Sequence, residues 1–228
     1  MTAQIHGAIW IKTVGSKGIM VSCIIFDLDG TLVDSEGLCN QAFLDLLPEI
    51  NIPVCELVSR FKGLKLSVIL GELELILGRK LPRSFEDQYR KRVAALFQTE
   101  LVSFEGVPEA LSKIELPMCV ASSGPRVKIE NALNHTGLSQ FFKGRVFSSY
   151  EVGSWKPDPG LFLHVAQSMG VKPQDCLVIE DSEVGIEAAK SAKMSALQFC
   201  GVHSERAVQS TFDRFQNLPE IIQRFELG

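Results

Sequence analysis

Apolar positions along this chain fall into two alternating patterns. Residues 21–26 form an almost unbroken apolar run, rich in β-branched residues and with no polar face. That pattern predicts a strand buried on both sides, as in a parallel sheet. Comparable runs recur at 117–121 and 176–179, with shorter strand-like stretches at 145–148 and 195–200. Between them lie segments of helical spacing: one starting at Pro108, one after Pro125, one following Pro159 to about Met169, and one at 218–225. This β-then-α alternation predicts an α/β fold, a doubly wound (Rossmann-like) parallel sheet.

One stretch departs from the alternation. After the first strand, Asp34-Ser35-Glu36 carries helix-start chemistry, and Leu38, Ala42, Phe43, Leu46 and Leu47 follow at helical spacing. Further helices are predicted near 55–61, 66–77 and 84–100, the last with Ser84 and Asp87 in a capping-box arrangement. The expected organisation is a catalytic core of 20–33 and 105–228, interrupted by a helical cap domain over 34–104. Residues 1–19 are expected outside the core, as an added or over-extended leader, with an extra edge strand as the alternative.

Composition narrows the class. The chain has 228 residues, 46% hydrophobic and 22% charged, with a net charge of −4. These values fit a globular protein and give no overall basic footprint for nucleic acid. No apolar run approaches the roughly 18 residues of a membrane span. The six cysteines are dispersed without a Cys-x-x-Cys pair. That dispersal predicts free thiols and a cytoplasmic setting. A monomer acting on a small molecule is expected.

The chemistry concentrates at strand ends. The first strand stops at Asp27-Leu28-Asp29-Gly30-Thr31, where ligands sit in open α/β sheets. A calcium loop counted from Asp27 needs glycine and glutamate where Leu32 and Leu38 stand, so it fails. A plain turn accounts for Gly30 but not for two carboxylates capping an apolar strand. Two other predicted strands end at Ser122-Ser123-Gly124 and Glu180-Asp181, and a proline-flanked turn supplies Lys156. Together these give a nucleophile, a cation and metal-ligand groups.

In this order the residues resemble the haloacid dehalogenase superfamily of phosphatases, in the branch with a helical cap after the first motif. The resemblance covers about residues 21–200. It implies Asp27 as nucleophile, Asp29 as general acid/base, Ser122 as phosphate ligand and Lys156 as the neutralising cation. It implies a Mg²⁺ site at Asp27, Asp29, Glu180 and Asp181. Such chemistry needs positive charge, since two unit anions about 4 Å apart repel by roughly 4 kcal/mol at an effective dielectric near 20. Asp29 is expected to need a raised pKa to protonate the leaving oxygen. Ser123 stands where the family often has asparagine, and Lys193 where it usually has glycine, a position expected to be left-handed.

Residues 60–92 hold nine Lys/Arg against four acids, a net of +5. Most of these are expected on a solvated helix surface. Arg60, Lys62 and Lys65 flank Gly63 at a helix junction and are expected to point into a cleft, joining Ser123, Gly124 and Lys128 as substrate-binding residues. By resemblance, a phosphosugar mutase of the β-phosphoglucomutase type carries histidine twelve residues after its nucleophile; here that residue is Cys39. The 60–66 segment, with Ser122-x-Gly-Pro and Lys128, is more similar to bacterial phosphatases of 6-phosphogluconate. A phosphorylated sugar or sugar acid is therefore the expected substrate.

Overall fold

The computed structural model describes residues 20–200 and 211–226. Expectations about residues 1–19 lie outside that range. Strands β1 (Cys23–Phe26), β2 (Met118–Ser122), β3 (Val146–Ser148), β4 (Cys176–Glu180), β5 (Ser195–Phe199) and β6 (Thr211–Phe212) form one sheet in the order β3-β2-β1-β4-β5-β6. Every pairing is parallel, as the alternation predicts. β1 is central, with Ile25 opposite both Cys119 and Val178. The strand order reverses between β1 and β4, and open α/β sheets bind ligands at that point.

The pleat sends alternate residues to opposite faces. Ile24 and Phe26 pack against α5 (Val107–Ser112), α6 (Arg126–His135), α7 (Ser139–Phe142) and α11 (Leu218–Glu226). Cys23, Ile25, Cys119 and Val178 pack against α9 (Gly160–Met169) and α10 (Glu183–Ser191). All four residues of β1 are fully buried, which is why its sequence reads as an apolar run rather than an alternation.

Between β1 and α5 the chain forms α1 (Glu36–Leu46), α2 (Val54–Phe61), α3 (Leu66–Leu77) and α4 (Phe85–Glu100). Phe43 of α1 stacks on Tyr89 of α4, with centroids 4.2 Å apart. The segments entering and leaving this insertion are stitched together. Asp34 N–H donates to the Val102 carbonyl at 3.0 Å, and Phe104 N–H to the Leu32 carbonyl at 3.2 Å. The apolar core of the insertion is continuous with one face of the sheet. Among the described residues no helix is long and apolar enough to cross a membrane.

Some local expectations need correction. Ser84 is at the N-cap of α4 but makes no side-chain capping bond, so the capping box is absent. The short elements α7, α8 (Ser149–Val152) and β6 were not evident in the sequence, being two to four residues long and without a measurable period. Lys193 does adopt the expected left-handed backbone, with φ of 60°. Side chains with a Cβ are disfavoured there, so Lys193→Gly should raise stability by about 0.5–1 kcal/mol. A melting temperature above wild type checks this; an unchanged or lower one contradicts it.

Candidate active site

Asp27 follows the last residue of β1, and its N–H donates to the Ile179 carbonyl of β4 at 2.9 Å. That bond holds the β1 and β4 ends side by side at the sheet's switch point. Lys156, on the turn before α9, is buried and bonds both Asp27 Oδ1 and Glu180 Oε1, the latter at 2.5 Å. Glu180's other oxygen accepts from Ser182 N–H at 2.7 Å and Ser182 Oγ at 2.8 Å. Ser182 also caps α10 by accepting from Gly185 N–H. A Cβ on Gly185 would stand 1.9 Å from the Glu180 carboxyl carbon, so the first turn of α10 admits that side chain only over glycine.

Asp181 packs against the turn that follows β1. Its Oδ1 accepts from Thr31 Oγ1 at 3.1 Å, and Oδ2 is 2.6 Å from Lys62 Nζ. Gly30 has φ of +78°, and a Cβ there would meet Asp181 Oδ2 at 2.5 Å. The glycine of the Asp-x-Asp-Gly-Thr motif thus serves two needs, a left-handed turn and close approach by the second carboxylate. Lys62 comes from the insertion. Gly63 beside it would, with a Cβ, collide with Val184 and crowd Ser182, so this loop sits directly on the start of α10.

Asp29 Oδ1 accepts from Ser35 Oγ at 2.5 Å and from Lys128 Nζ at 2.6 Å. Ser35 caps the chain turn into α1 by position only, its hydroxyl being drawn to Asp29. Burial pushes the Asp29 carboxyl up, but the charges of Lys128 and Lys156 and the two hydrogen bonds outweigh it, and the pKa falls below the usual value. The raised pKa expected from the reaction chemistry is therefore absent in this state. Asp27 behaves oppositely. Burial is the largest influence and, with Glu180, Asp181 and Asp29 nearby, pushes it well above the ordinary range despite Lys156.

On the other side of β1, Ser122 is buried at the end of β2, and Gly124 N–H donates to its Oγ at 3.0 Å. That leaves the hydroxyl proton free to donate toward a phosphate. Ser123, Gly124 and Lys128 follow at the start of α6, a helix N-terminus suited to anions. These groups and the insertion enclose a cavity of about 540 Å³. Its far wall is Phe43, Phe61, Ile69, Tyr89, Val93 and Phe97.

The structure brings together Asp27, Asp29, Ser122, Ser123, Gly124, Lys128, Lys156, Glu180, Asp181, Lys62 and Lys65 around this cavity. It does not bring Arg60, which is absent from the cavity wall and pairs instead with Glu72 at 2.6 Å on the exposed surface. Lys65 lines the cavity, but its ammonium lies 3.5 Å from the Trp155 ring centroid. Thr31, Ser35, Glu36 and Ser182 were not identified from sequence. Thr31 belongs to the motif itself, whereas Ser35 and Glu36 carried only a helix-start signal.

The carboxylates of the site form a candidate donor set for a metal ion. Five carboxylates (Asp27, Asp29, Glu36, Glu180 and Asp181) face three ammonium groups (Lys62, Lys128 and Lys156), a surplus of two negative charges. Crowding of these carboxyl groups raises their affinity for protons. Burial and then Glu180 push Asp181 up to about 6, while burial and then Asp181 push Glu36 up to about 8. An all-oxygen cluster with more carboxyl than ammonium groups suits a hard divalent cation. Among the described residues no three acid, His or Cys side chains converge as an assembled metal centre, because Lys156 and Lys62 occupy the carboxylates. Glu180, expected as a metal ligand, instead spends both oxygens on Lys156 and Ser182.

The sequence profile described as "haloacid dehalogenase-like hydrolase" matches residues 21–193. This chain belongs to that family. Among its relatives, 6-phosphogluconate phosphatase of Escherichia coli strain K12 is 36% identical over 208 residues, covering 88% of this chain and 94% of that protein. A phosphorylated carbohydrates phosphatase of Thermotoga maritima is 30% identical over 192 residues, 81% of this chain and 87% of its own. A solved haloacid dehalogenase-like protein of unknown function from Agrobacterium tumefaciens superposes with a TM-score of 0.78 at 32% identity, covering 90% of this chain and 98% of that one. The chain is a phosphoric monoester hydrolase of the haloacid dehalogenase-like family.

The buried Glu180–Lys156 pair rests on Gly185. Gly185→Ala should cost about 1–3 kcal/mol through overpacking and lower turnover of an aryl phosphate by displacing Glu180 from Lys156. Thermal melting and steady-state rates check it; wild-type values for both would show that the close approach is not needed.

Proposed function

We propose that this hydrolase removes the phosphoryl group from a small phosphorylated sugar or sugar acid, with 6-phosphogluconate the leading substrate, through an aspartyl-phosphate on Asp27 and with Mg²⁺. The observation that carries the reading is the composition of the cavity. Beyond the phosphoryl-binding end it offers further cations, Lys128, Lys65 and Arg90, set among apolar and aromatic walls. Its volume suits one metabolite-sized ligand. A substrate with a second anion, a carboxylate, complements those cations. A neutral sugar offers those cations no counter-charge and leaves them on their protein partners, Asp29, Trp155 and Glu86, so it is favoured less than a sugar acid.

The residues divide the work. Asp27 attacks phosphorus in line as the ester phosphorus–oxygen bond breaks, and the leaving oxygen takes a proton from Asp29, which gains it from solvent when the phosphate dianion arrives. Lys156, anchored by Glu180, and the Ser122 hydroxyl stabilise charge gathering on the phosphoryl oxygens. Asp29, held by Ser35 and Lys128, is ionised in this state and suited to accept a proton from the hydrolytic water. The insertion acts as a cap, excluding water while the phosphoryl group is transferred. Mg²⁺ would be held by Asp27 and Asp181, with Asp29 beside them, and would supply the positive charge that keeps Asp27 ionised and admits a phosphate dianion.

Hydrolysis is favoured over a mutase by the residue at position 39. Cys39 lines the cavity, and burial pushes its thiol up to about 11, so it is neutral at physiological pH. A neutral thiol offers no charge to a second phosphate.

A cation on Asp181 has a readout apart from activity. Asp181 lends stability below its unfolded pKa of about 3.9, and that contribution is lost as pH rises through about 6. Bound Mg²⁺ reverses the loss, because it prefers the ionised carboxylate. The Mg²⁺-induced rise in melting temperature should therefore be larger near about pH 8 than near about pH 5, and should disappear in Asp181→Asn. An equal rise in that variant contradicts the assignment.

The substrate is tested by phosphate release across sugar phosphates, sugar-acid phosphates, phosphoglycolate and nucleotides. The expected result is the highest kcat/KM for 6-phosphogluconate, with glucose 6-phosphate lower by about tenfold or more. Lys128→Met should narrow that gap. Conversion of β-glucose 1-phosphate to glucose 6-phosphate without phosphate release contradicts the phosphatase reading.

A further inference from the structure

Strand β3 lies beside β2 with Ser148 opposite Ser122, so the chain leaving β3 starts level with the phosphate-binding end of β2. Ser148 Oγ donates to the Gly124 carbonyl at 2.7 Å and accepts from Tyr150 N–H at 3.2 Å. These bonds fix Tyr150 two residues beyond the strand partner of Ser122. Its ring meets that of Trp155, the residue before Lys156, edge to face at 5.4 Å. Tyr150 lines the cavity, and so does Arg90 of α4, which comes from the insertion. Arg90 Nη2 donates to the Tyr150 hydroxyl at 2.9 Å, and its guanidinium carbon lies 5.3 Å from the Tyr150 ring centroid.

The donors of Arg90 are only partly used. Nε and Nη2 both donate to Glu86 Oε1, at 3.0 and 2.5 Å, and Nη2 also serves Tyr150. Among the described residues no hydrogen bond or ion pair engages Nη1. The side chain keeps 30% of its surface exposed, so it is open to a ligand in the cavity. The other two cations beyond the phosphoryl end are placed differently. Lys128 is held by Asp29, and the Lys65 ammonium sits on the Trp155 ring, which is not part of the cavity wall. A guanidinium already fixed by a ring and a carboxylate loses little freedom on binding, and its planar N–H donors match a carboxylate. We propose that Arg90 is a specificity-determining residue that receives the substrate's second anion, a carboxylate, and that Tyr150 is its positioning residue.

This inference rests on the sugar-acid reading of the site and identifies the group that reads the acid. Both ends of the substrate are then registered to neighbouring strand ends. Ser122 closes β2, and Arg90 is placed through Tyr150 and Ser148 at the end of β3. The sheet therefore sets the spacing between the phosphate and carboxylate sites, but only while the insertion rests against Tyr150. Tyr150 belongs to the core and Arg90 to the insertion, so reading the carboxylate and closing the cavity are one event. A neutral sugar phosphate gives Nη1 no anion and gains nothing from that contact.

The test measures kcat/KM for 6-phosphogluconate over that for glucose 6-phosphate. It compares wild type with Arg90→Met, Tyr150→Phe and the double variant Glu86→Gln/Arg90→Met, which strands no carboxylate. The ratio should fall about fivefold in both Arg90 variants. In Tyr150→Phe, which keeps the ring but loses the hydrogen bond, it should fall about threefold. The loss should appear mainly as a raised KM for 6-phosphogluconate. A ratio unchanged in the double variant, whether both rates persist or fall together, overturns the Arg90 assignment and leaves the sugar-acid reading in place. A wild-type ratio in Tyr150→Phe overturns its positioning role. A ratio of one or below in the wild-type enzyme overturns the sugar-acid reading itself, and the Arg90 assignment with it.

Discussion

The active end of this protein is organised by negative charge forced together where the sheet reverses direction. Parallel pairing of β1 with β4 puts Asp27 beside Glu180 and Asp181, and the turn after β1 adds Asp29. Such crowding persists only with compensation. Lys156 bridges two of the acids, Lys128 holds a third, and Lys62 reaches from the insertion to a fourth. Removing one member of a buried charged set strands its partners, so the cluster is interdependent. The glycines at 30 and 185 belong to the same constraint, because each makes room for one carboxylate.

The insertion shares in this compensation. The Lys62-Gly63 loop lies on the start of α10 and delivers an ammonium to Asp181, so its position and the core's charge state are linked. Two further contacts tie the insertion to the core, Lys65 over Trp155 and Arg90 to the Tyr150 hydroxyl at 2.9 Å. On the function proposed above, substrate recognition and closure draw on the same few cations, and the helical addition governs which phosphate ester reaches the phosphoryl-transfer site.

Much of this was legible in the chain. A strand buried on both faces writes itself as an apolar run, so β1, β2 and β4 and the polar residues at their ends were recognisable. Lys193 was legible too, since a lysine in a glycine position predicts its left-handed backbone. What linear pattern does not carry is direction. Arg60 and Lys62 are two residues apart, yet one pairs with Glu72 at the surface and the other with buried Asp181. Ser35 and Ser84 both read as helix caps, and neither side chain caps. The ionisation of Asp29 depends on Lys128, about a hundred residues along the chain.

On the proposed mechanism Asp27 carries the phosphoryl group during turnover. Acid-quenched single turnover on 6-phosphogluconate or an aryl phosphate, followed by peptide mass spectrometry, tests it directly. The expected result is one phosphoryl group on the peptide containing Asp27, appearing before phosphate is released and absent in Asp27→Asn, which should not turn over. Phosphate release at the wild-type rate by Asp27→Asn, with no phosphorylated peptide at any time point, would contradict it.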